Sequence, residues 1–580
     1  MNGGRDMRKR IPVLAVLLAL TLIVAACTGE GTETTTTAAP GTTAAPGTTA
    51  APTTQPGEDY MGLAYTADCD AEGYTGQLGS IEAVDEFTVK FSLCASDPAF
   101  PSKVAFSAFS IWPQEVIEGT GGGGPELFKN PVGTGPYKLG AWEEGSQIVL
   151  TRNDDYWGEA AKTETLVFKW GTEAAQRMVE LQAGTVDGID NIGPDDFPIV
   201  QSDSNLQLIE RPALNIFYIG LNNTKEPLDD VKVRQALAMA IDKERIVNTF
   251  YPPGSSVAEQ FLPPAIPGYA EGAEWYDFDP EGAKALLAEA GYPDGFTLPL
   301  QYRDVVRGYL PQVTQVVQDI ADQLADIGVT AQIEVQESGT FIDNSDSGNL
   351  TMYLLGWGAD FPDAVNFLDF HFGFGASKQF GTIYEDIAAV LQEAASLSDQ
   401  GERDVLYAQA AELIKQDVPM IPVAHGGSGL AYRADVVGAH ASPLSNEYFA
   451  VMDPGGRDTF VWMQNAEPIG LYCADESDGE TLRLCEQVNE SLLAYEVGGV
   501  AVEPSLATDY TANDDLTEWT FTLRQGVTFH DGSKFDANDV VTSYYVQWDA
   551  ASPLHVGRDG SFTYFPGLFG GFLNPPPADS

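Results

Sequence analysis

The residue types and spacings most suggestive of chemistry fall between Leu350 and Asp363. Leu350 to Leu355 is a short apolar run and reads as a buried strand. Gly356, Trp357, Gly358, Asp360 and Pro362 then form a breaker-rich turn. A strand that leaves the core and delivers Trp357 and Asp360 at its carboxyl end is a common way to build a ligand cleft in an α/β protein. Asp360 has the chemistry to meet an ammonium group, and Trp357 to form an apolar wall or cover a cation. The plainer reading has Trp357 filling a core and Asp360 capping a helix that starts near Pro362.

Signatures of catalysis are absent: there is no H-E-x-x-H, no G-x-S-x-G and no P-loop. The run His425-Gly426-Gly427-Ser428-Gly429 lacks a nucleophile elbow, and Asp277 to Gly282 half-resembles a calcium loop without its closing Glu. Five His, widely spread, do not make a metal site. No catalytic residue, cofactor or metal is expected.

The chain has 580 residues, 44% hydrophobic and 11% aromatic, which describes a globular protein long enough for several lobes. A formal charge of −54 repels nucleic acid and anionic lipid, so a nucleic-acid partner is not expected. The same charge favours cationic ligands or serves solubility.

The amino terminus reads as a targeting signal. Arg5, Arg8, Lys9 and Arg10 precede an apolar run, Ile11 to Ala26, shorter than a membrane span usually needs. Val24-Ala25-Ala26-Cys27 looks like a lipobox, in which Cys27 is lipidated and becomes the new terminus. Residues 28–60 are a Thr/Ala/Pro-rich linker, a solvated tether. The expected location is extracytoplasmic, with Cys27 holding the protein to the cell membrane by lipid. Four further cysteines fall in two close pairs, Cys69 with Cys94 and Cys473 with Cys485, consistent with two short-loop disulfides outside the cell.

Strand and helix patterns alternate along the rest. Glu86 to Leu93 alternates as a half-buried strand, and Leu166 to Trp170, Leu214 to Leu221 and Val329 to Val335 read as strands. Helices are expected over 172–184, 227–242 with an Asp N-cap, from Asp279-Pro280 to Gly291, and over 313–327 ended by Gly328. Residues 383–416 read as two helices broken near 398–401. Alternating strands and helices mean an α/β architecture.

These pieces together resemble one family, the extracellular solute-binding proteins of bacterial ABC transporters, family 5, the oligopeptide, dipeptide and nickel type. The resemblance is carried by Asn130 to Tyr137 (NPVGTGPY), Asn153 to Gly158 (NDDYWG), Leu228 to Leu237, Asp279 to Leu287 with Glu289 to Tyr292, Gly356 to Asp360, Thr520 to Gly532 and Phe535 to Val541. Each family piece occurs once, but the order differs. The segment resembling Thr459 to Asn574 comes first in the family and last here. That order reads as a circular permutation, workable if Leu63 and Asn574 are spatial neighbours at an exposed loop.

The resemblance implies an α/β type II periplasmic-binding-protein fold with an additional lobe: three lobes and a hinge-closing cleft, circularly permuted. The implied division is 1–27 signal peptide, 28–60 linker, 62–165 plus 494–574 smaller lobe, 166–242 plus 441–493 core lobe, 243–440 third lobe with the ligand-binding turn, and 575–580 tail. It carries Asp360 onto the family's aspartate for a peptide amino terminus, makes Trp357 a pocket wall, and places Arg307 for a ligand carboxylate. Asn215, Phe217 and Tyr218 would begin the strand entering the cleft. His530 reads as a structural turn residue. The implied function is capture of a small solute, an oligopeptide or dipeptide, by a monomer that delivers it to ABC transporter permease subunits. A secreted acidic hydrolase and a ligand-binding component of a sensory receptor are the alternatives.

Overall fold

The structure is a computed structural model that describes residues 60–575. The signal, the lipidation position Cys27, nearly all of the linker and most of the tail lie outside the described residues.

Thr88–Leu93 shows how composition becomes architecture. Val89, Phe91 and Leu93 are buried, while Thr88, Lys90 and Ser92 are only half-buried. The strand begins two residues later than its alternation suggests, because the Asp85 carboxylate accepts from the Phe87 N–H at 2.9 Å and closes a turn. The preceding Leu78–Asp85, not recognised in the sequence, is its hairpin partner. With Ala64–Thr66, Glu518–Leu523 and Ala507–Ala512 these strands make an antiparallel five-stranded sheet. The two ends of the chain meet in it, since Glu518 to Thr522 pair with Ser92 to Thr88.

A seven-stranded mixed sheet follows in the order Tyr137–Glu143, Gln147–Arg152, Thr165–Trp170, Thr459–Gln464, Gly188–Ile189, Ser428–Arg433, Leu206–Arg211. Thr459–Gln464 lies inside it, parallel to both neighbours. A six-stranded sheet runs Ser256–Val257, Met420–His425, Asn215–Leu221, Met352–Gly358, Phe296–Arg303, Val329–Gln336. Sheet membership shifts the expected divisions. Asn215–Leu221 belongs with the third-lobe strands, and Ser428–Arg433 with the core strands. Tyr137–Glu143 and Gln147–Arg152 also join the core sheet. The seven- and six-stranded sheets are therefore linked by two short connections, residues 212–214 and Gly426-Gly427.

The helices form where caps and apolar stripes dictate. Asp279 caps Pro280–Glu289 through the Gly282 N–H, and Asp399 caps Gln400–Asp417 through the Glu402 N–H. Val313–Asp326 buries Val313, Val316, Ile320 and Leu324 along one face. The helix expected over 227–242 is shorter, Val231–Met239, because Asp230 rather than Asp229 makes the cap. Cys69–Cys94 and Cys473–Cys485 are disulfides.

Two family-like motifs prove to be supports for one half-buried carboxylate. Glu490 accepts from Thr134 Oγ1 at 2.7 Å, Tyr156 OH at 2.7 Å and Trp157 Nε1 at 2.8 Å. His530 adds a strut, with Nε2 against the Gly135 carbonyl and Nδ1 accepting from the Gly133 N–H. Burial lowers its pKa to about 4, so it stays neutral at pH 7.

The chain ends bracket the helix Ala537–Trp548. Leu63 N–H donates to Asn538 at its start, and Leu573 N–H donates to the Trp548 carbonyl at its end. The permuted order anticipates Leu63 and Asn574 as neighbours; they lie instead at opposite ends of this helix, whose span from Asn538 to Trp548 rises about 15 Å.

Candidate functional site

Met352–Gly358 is a central strand, antiparallel to Asn215–Leu221 and parallel to Phe296–Arg303. Beyond Gly358 the chain turns and enters the helix Ala364–Phe372. Asp363, not Asp360, caps that helix, accepting from the Val365 N–H at 3.0 Å, and Arg403 grips the same carboxylate at 2.7 and 3.0 Å. The capping duty is filled elsewhere, so Asp360 is left for another task.

Among the described residues no Lys, Arg or His pairs with Asp360. Its Oδ2 accepts from Asn366 Nδ2 at 2.9 Å and its Oδ1 from Tyr564 OH at 2.9 Å. Burial pushes the carboxyl up to about 7, against the pull of those two neutral donors. Trp357 stacks on Phe370 at 4.4 Å with an interplanar angle of 28° and stands edge-on to His371 at 4.9 Å. Its Nε1 points at Asn366 Oδ1, at 3.4 Å.

Arg307 reaches from the six-stranded body to the helix Gly479–Val488, pairing with Glu480 at 3.0 Å and Asp478 at 3.5 Å. Arg307 and Asp360 both sit where this body faces the rest of the protein. A cavity of about 20 Å³ beside Arg307, lined also by Asn191, Gly308, Gly427 and Ser428, is of water size. Any larger ligand there requires the two faces to part.

Asn215 is spent on the connections between the sheets. Its side-chain amide donates to the Gly426 carbonyl at 2.6 Å and its carbonyl accepts from the Gly426 N–H at 2.8 Å. A Cβ on Gly426 would lie 2.2 Å from the Gly308 carbonyl, so glycine is required by close approach. Phe217 and Tyr218 are fully buried in the core, and the Tyr218 hydroxyl donates to Gln379 at 2.9 Å. Their strand is central in its sheet, so these side chains pack in the core and do not face the cleft.

Beneath Arg307 lies a closed ring of buried ions that the sequence did not reveal. Arg211 and Arg483 each bridge Asp190 and Glu447, with contacts of 2.7 to 3.0 Å and exposures of 6% or less. Burial would raise Asp190, but Arg483 and Arg211 overcome it and hold its pKa down to about 2. Among the described residues no group of His, Cys, Asp and Glu could hold a metal ion. Asp279 in the calcium-like run is a helix cap, and His425 Nδ1 is bonded to the Asn215 carbonyl.

Residues 41–379 and 501–560 match the family described as bacterial extracellular solute-binding proteins, family 5 middle. The dipeptide-binding protein of Escherichia coli (strain K12) is 32% identical over 378 residues, 64% of this chain and 71% of that one. Heme-binding protein A of Haemophilus influenzae is 33% identical over 66% of this chain and 70% of its own. A crystal structure of a dipeptide-binding protein from Pseudoalteromonas sp. SM9913 in complex with Met-Leu superposes with a TM-score of 0.59. It is 27% identical, covering 63% of this chain and 73% of that one. The chain belongs to the family 5 extracellular solute-binding proteins, and its fold is the α/β type II periplasmic-binding-protein fold. Proteins of this family bind solutes outside the cytoplasm and are not enzymes. Among the described residues no helix is long and apolar enough to cross a membrane.

Proposed function

We propose that this protein captures an oligopeptide or dipeptide and delivers it to the permease of an ABC transporter. The observation that carries the reading is Asp360: a half-buried carboxylate at an inter-lobe face, held by two neutral donors and, among the described residues, lacking a cation. A peptide ammonium supplies the missing charge, and the pair strengthens when closure excludes water. Trp357 then walls the first side chain. Arg307 meets the peptide carboxylate by exchanging its present partners, Glu480 and Asp478. The three sheets correspond to three lobes, and residues 212–214 with Gly426-Gly427 form the hinge that Asn215 ties together.

In this reading Cys27 is lipidated and the linker lets a monomer range from the membrane surface. The chain order is a native circular permutation. The position of Thr459–Gln464 inside the seven-stranded sheet supports it, as does the pairing of Thr88–Leu93 with Glu518–Leu523. The helix rise of about 15 Å between these ends is one that five extended residues span.

The test is native mass spectrometry of the full-length chain purified without refolding, followed by titration with an equimolar mixture of di- to tetrapeptides. Peptide masses on a compact protein are the expected result. A compact protein that neither carries nor takes up any peptide refutes the ligand class, and an unfolded charge distribution refutes the native permutation.

A further inference from the structure

The helix Gly479–Val488 and its flanks carry several acidic side chains that point inward, and their partners can be named one by one. Asp475 is wrapped by the backbone N–H groups of Arg558, Asp559, Gly560 and Phe562 at 2.7 to 3.0 Å. Glu476 pairs with Arg558 at 2.8 Å, and Asp478 and Glu480 pair with Arg307. Glu490 has its three side-chain donors.

Glu486 stands apart. Its Oε1 receives one long bond, 3.3 Å from Asn446 Nδ2. Among the described residues no Lys, Arg or His pairs with it, and the charge that acts on it is that of Glu490, a repulsion. Ser107, 3% exposed, lies against the carboxylate and its hydroxyl pulls the Glu486 pKa down, yet the two complete no hydrogen bond of normal geometry. An unpaired carboxylate beside an orphaned buried hydroxyl is an unfinished polar site. Glu486 is nonetheless half-buried rather than sealed, so solvent reaches it.

The site adjoins Asp360. Phe106, next to Ser107, packs edge-on against Tyr564 at 4.7 Å, and the Tyr564 hydroxyl holds Asp360. Tyr495 lies within electrostatic reach of both Glu486 and Asp360. One carboxylate comes from the six-stranded body and the other from the helix facing it. Arg307, the cation of this region, is already neutralised by Asp478 and Glu480.

We propose that Glu486, with Asn446 and Ser107, forms a second anionic subsite that takes a basic side chain of the bound peptide, a Lys ammonium or an Arg guanidinium. The inference rests on the peptide-binding reading and specifies it. Asp360 takes the amino terminus, and Glu486 takes the second positive charge. Closure over a neutral side chain leaves Glu486 desolvated and unpaired, and that cost is what discriminates. The net charge of −54 draws cationic peptides toward the cleft at low salt.

The experiment is calorimetric titration of the full-length chain with Lys-Ala, Ala-Lys and Ala-Ala-Lys, each against its norleucine counterpart. At least one Lys peptide is expected to bind about tenfold or more tightly than its neutral partner. Glu486→Gln is expected to bring that ratio within about twofold of unity, chiefly by raising norleucine-peptide affinity, because closure no longer desolvates an unpaired charge. Glu486→Met, which fills the same space, serves as a second variant should Glu486→Gln fail to fold. Neutral and basic peptides binding equally to the unmodified chain would overturn the subsite and leave the peptide reading intact. A Lys preference that survives both substitutions would place the cation elsewhere and also overturn it. Failure of every peptide to bind would remove the peptide reading and, with it, this one.

Discussion

Replacing Asp360 by Asn removes a charge that the fold holds out of water without a counter-ion. The folded-state pKa of about 7 lies above the ordinary aspartate value of 3.8, so the folded protein binds the extra proton between those limits. Stability contributed by this group is therefore highest below about pH 4, falls as pH rises, and reaches its minimum above about pH 7. Raising the carboxyl from 3.8 to about 7 corresponds to roughly 4 kcal/mol, and partial solvent access halves it to about 2 kcal/mol. Asp360→Asn keeps the shape of the site and the acceptor for Tyr564, while its new N–H2 opposes the Asn366 Nδ2 donor, a loss that is the same at every pH. Relative to wild type the variant should therefore gain about 2 kcal/mol in the ligand-free protein as pH rises from about 4 to 8, which for a chain of this size is roughly 2 °C in Tm if it unfolds as one unit.

Scanning calorimetry of both proteins at pH 4.5, 6 and 8 measures this. The difference between them isolates Asp360 from other carboxyls pushed up to about 7, Glu476, Asp478 and Asp539 among them. Peptide affinity should move the opposite way. The wild type must ionise Asp360 to pair an ammonium, so about hundredfold is lost between pH 7 and pH 5, and Asp360→Asn should bind weakly with little pH dependence. A Tm difference between the two proteins that stays the same from pH 4.5 to pH 8 would show that the charge is compensated and would refute the reasoning.

Three further outcomes are expected. Alkylation of the unfolded, unreduced protein should label none of Cys69, Cys94, Cys473 and Cys485, and losing the Cys473–Cys485 bridge should cost about 3 kcal/mol for its short loop. Arg211→Met should cost about 3 to 5 kcal/mol in denaturant titration, because it strands Asp190 and Glu447 with Arg483 alone. Glu490→Ala should cost about 3 kcal/mol or more by the same measurement, since it orphans the donors on Thr134, Tyr156 and Trp157.

What the sequence disclosed and what it withheld divide by range. The strand and turn around Trp357 and Asp360 are written in local patterning, as are the caps at Asp279 and Asp399. The plainer alternative puts the cap of Ala364–Phe372 at Asp360, three residues early, because Asp360 and Asp363 both precede the helix, and only tertiary packing on Arg403 selects the second. Tyr564, which holds Asp360, lies 204 residues away, and Glu480 lies 173 from Arg307; no local period encodes such pairings. The NPVGTGPY and NDDYWG motifs were readable as turns, but their shared anchor, Glu490, is more than 300 residues distant. Phe217 and Tyr218 looked like cleft residues because their strand ends near the site. Their sheet places them in its middle, where both faces are covered.

The antiparallel five-stranded sheet also imposes a timetable on synthesis. Lys90 and Glu518, paired across it, are 428 residues apart. At ribosomal rates of about 5 to 20 residues per second, the first strand emerges roughly 20 to 90 s before its partner. During that interval Thr88–Leu93 has its hairpin neighbour on one edge and nothing on the other, with Phe91 and Val89 uncovered. The nascent chain therefore cannot complete this lobe until translation is nearly over. Until then the uncovered edge and apolar face leave it exposed to aggregation.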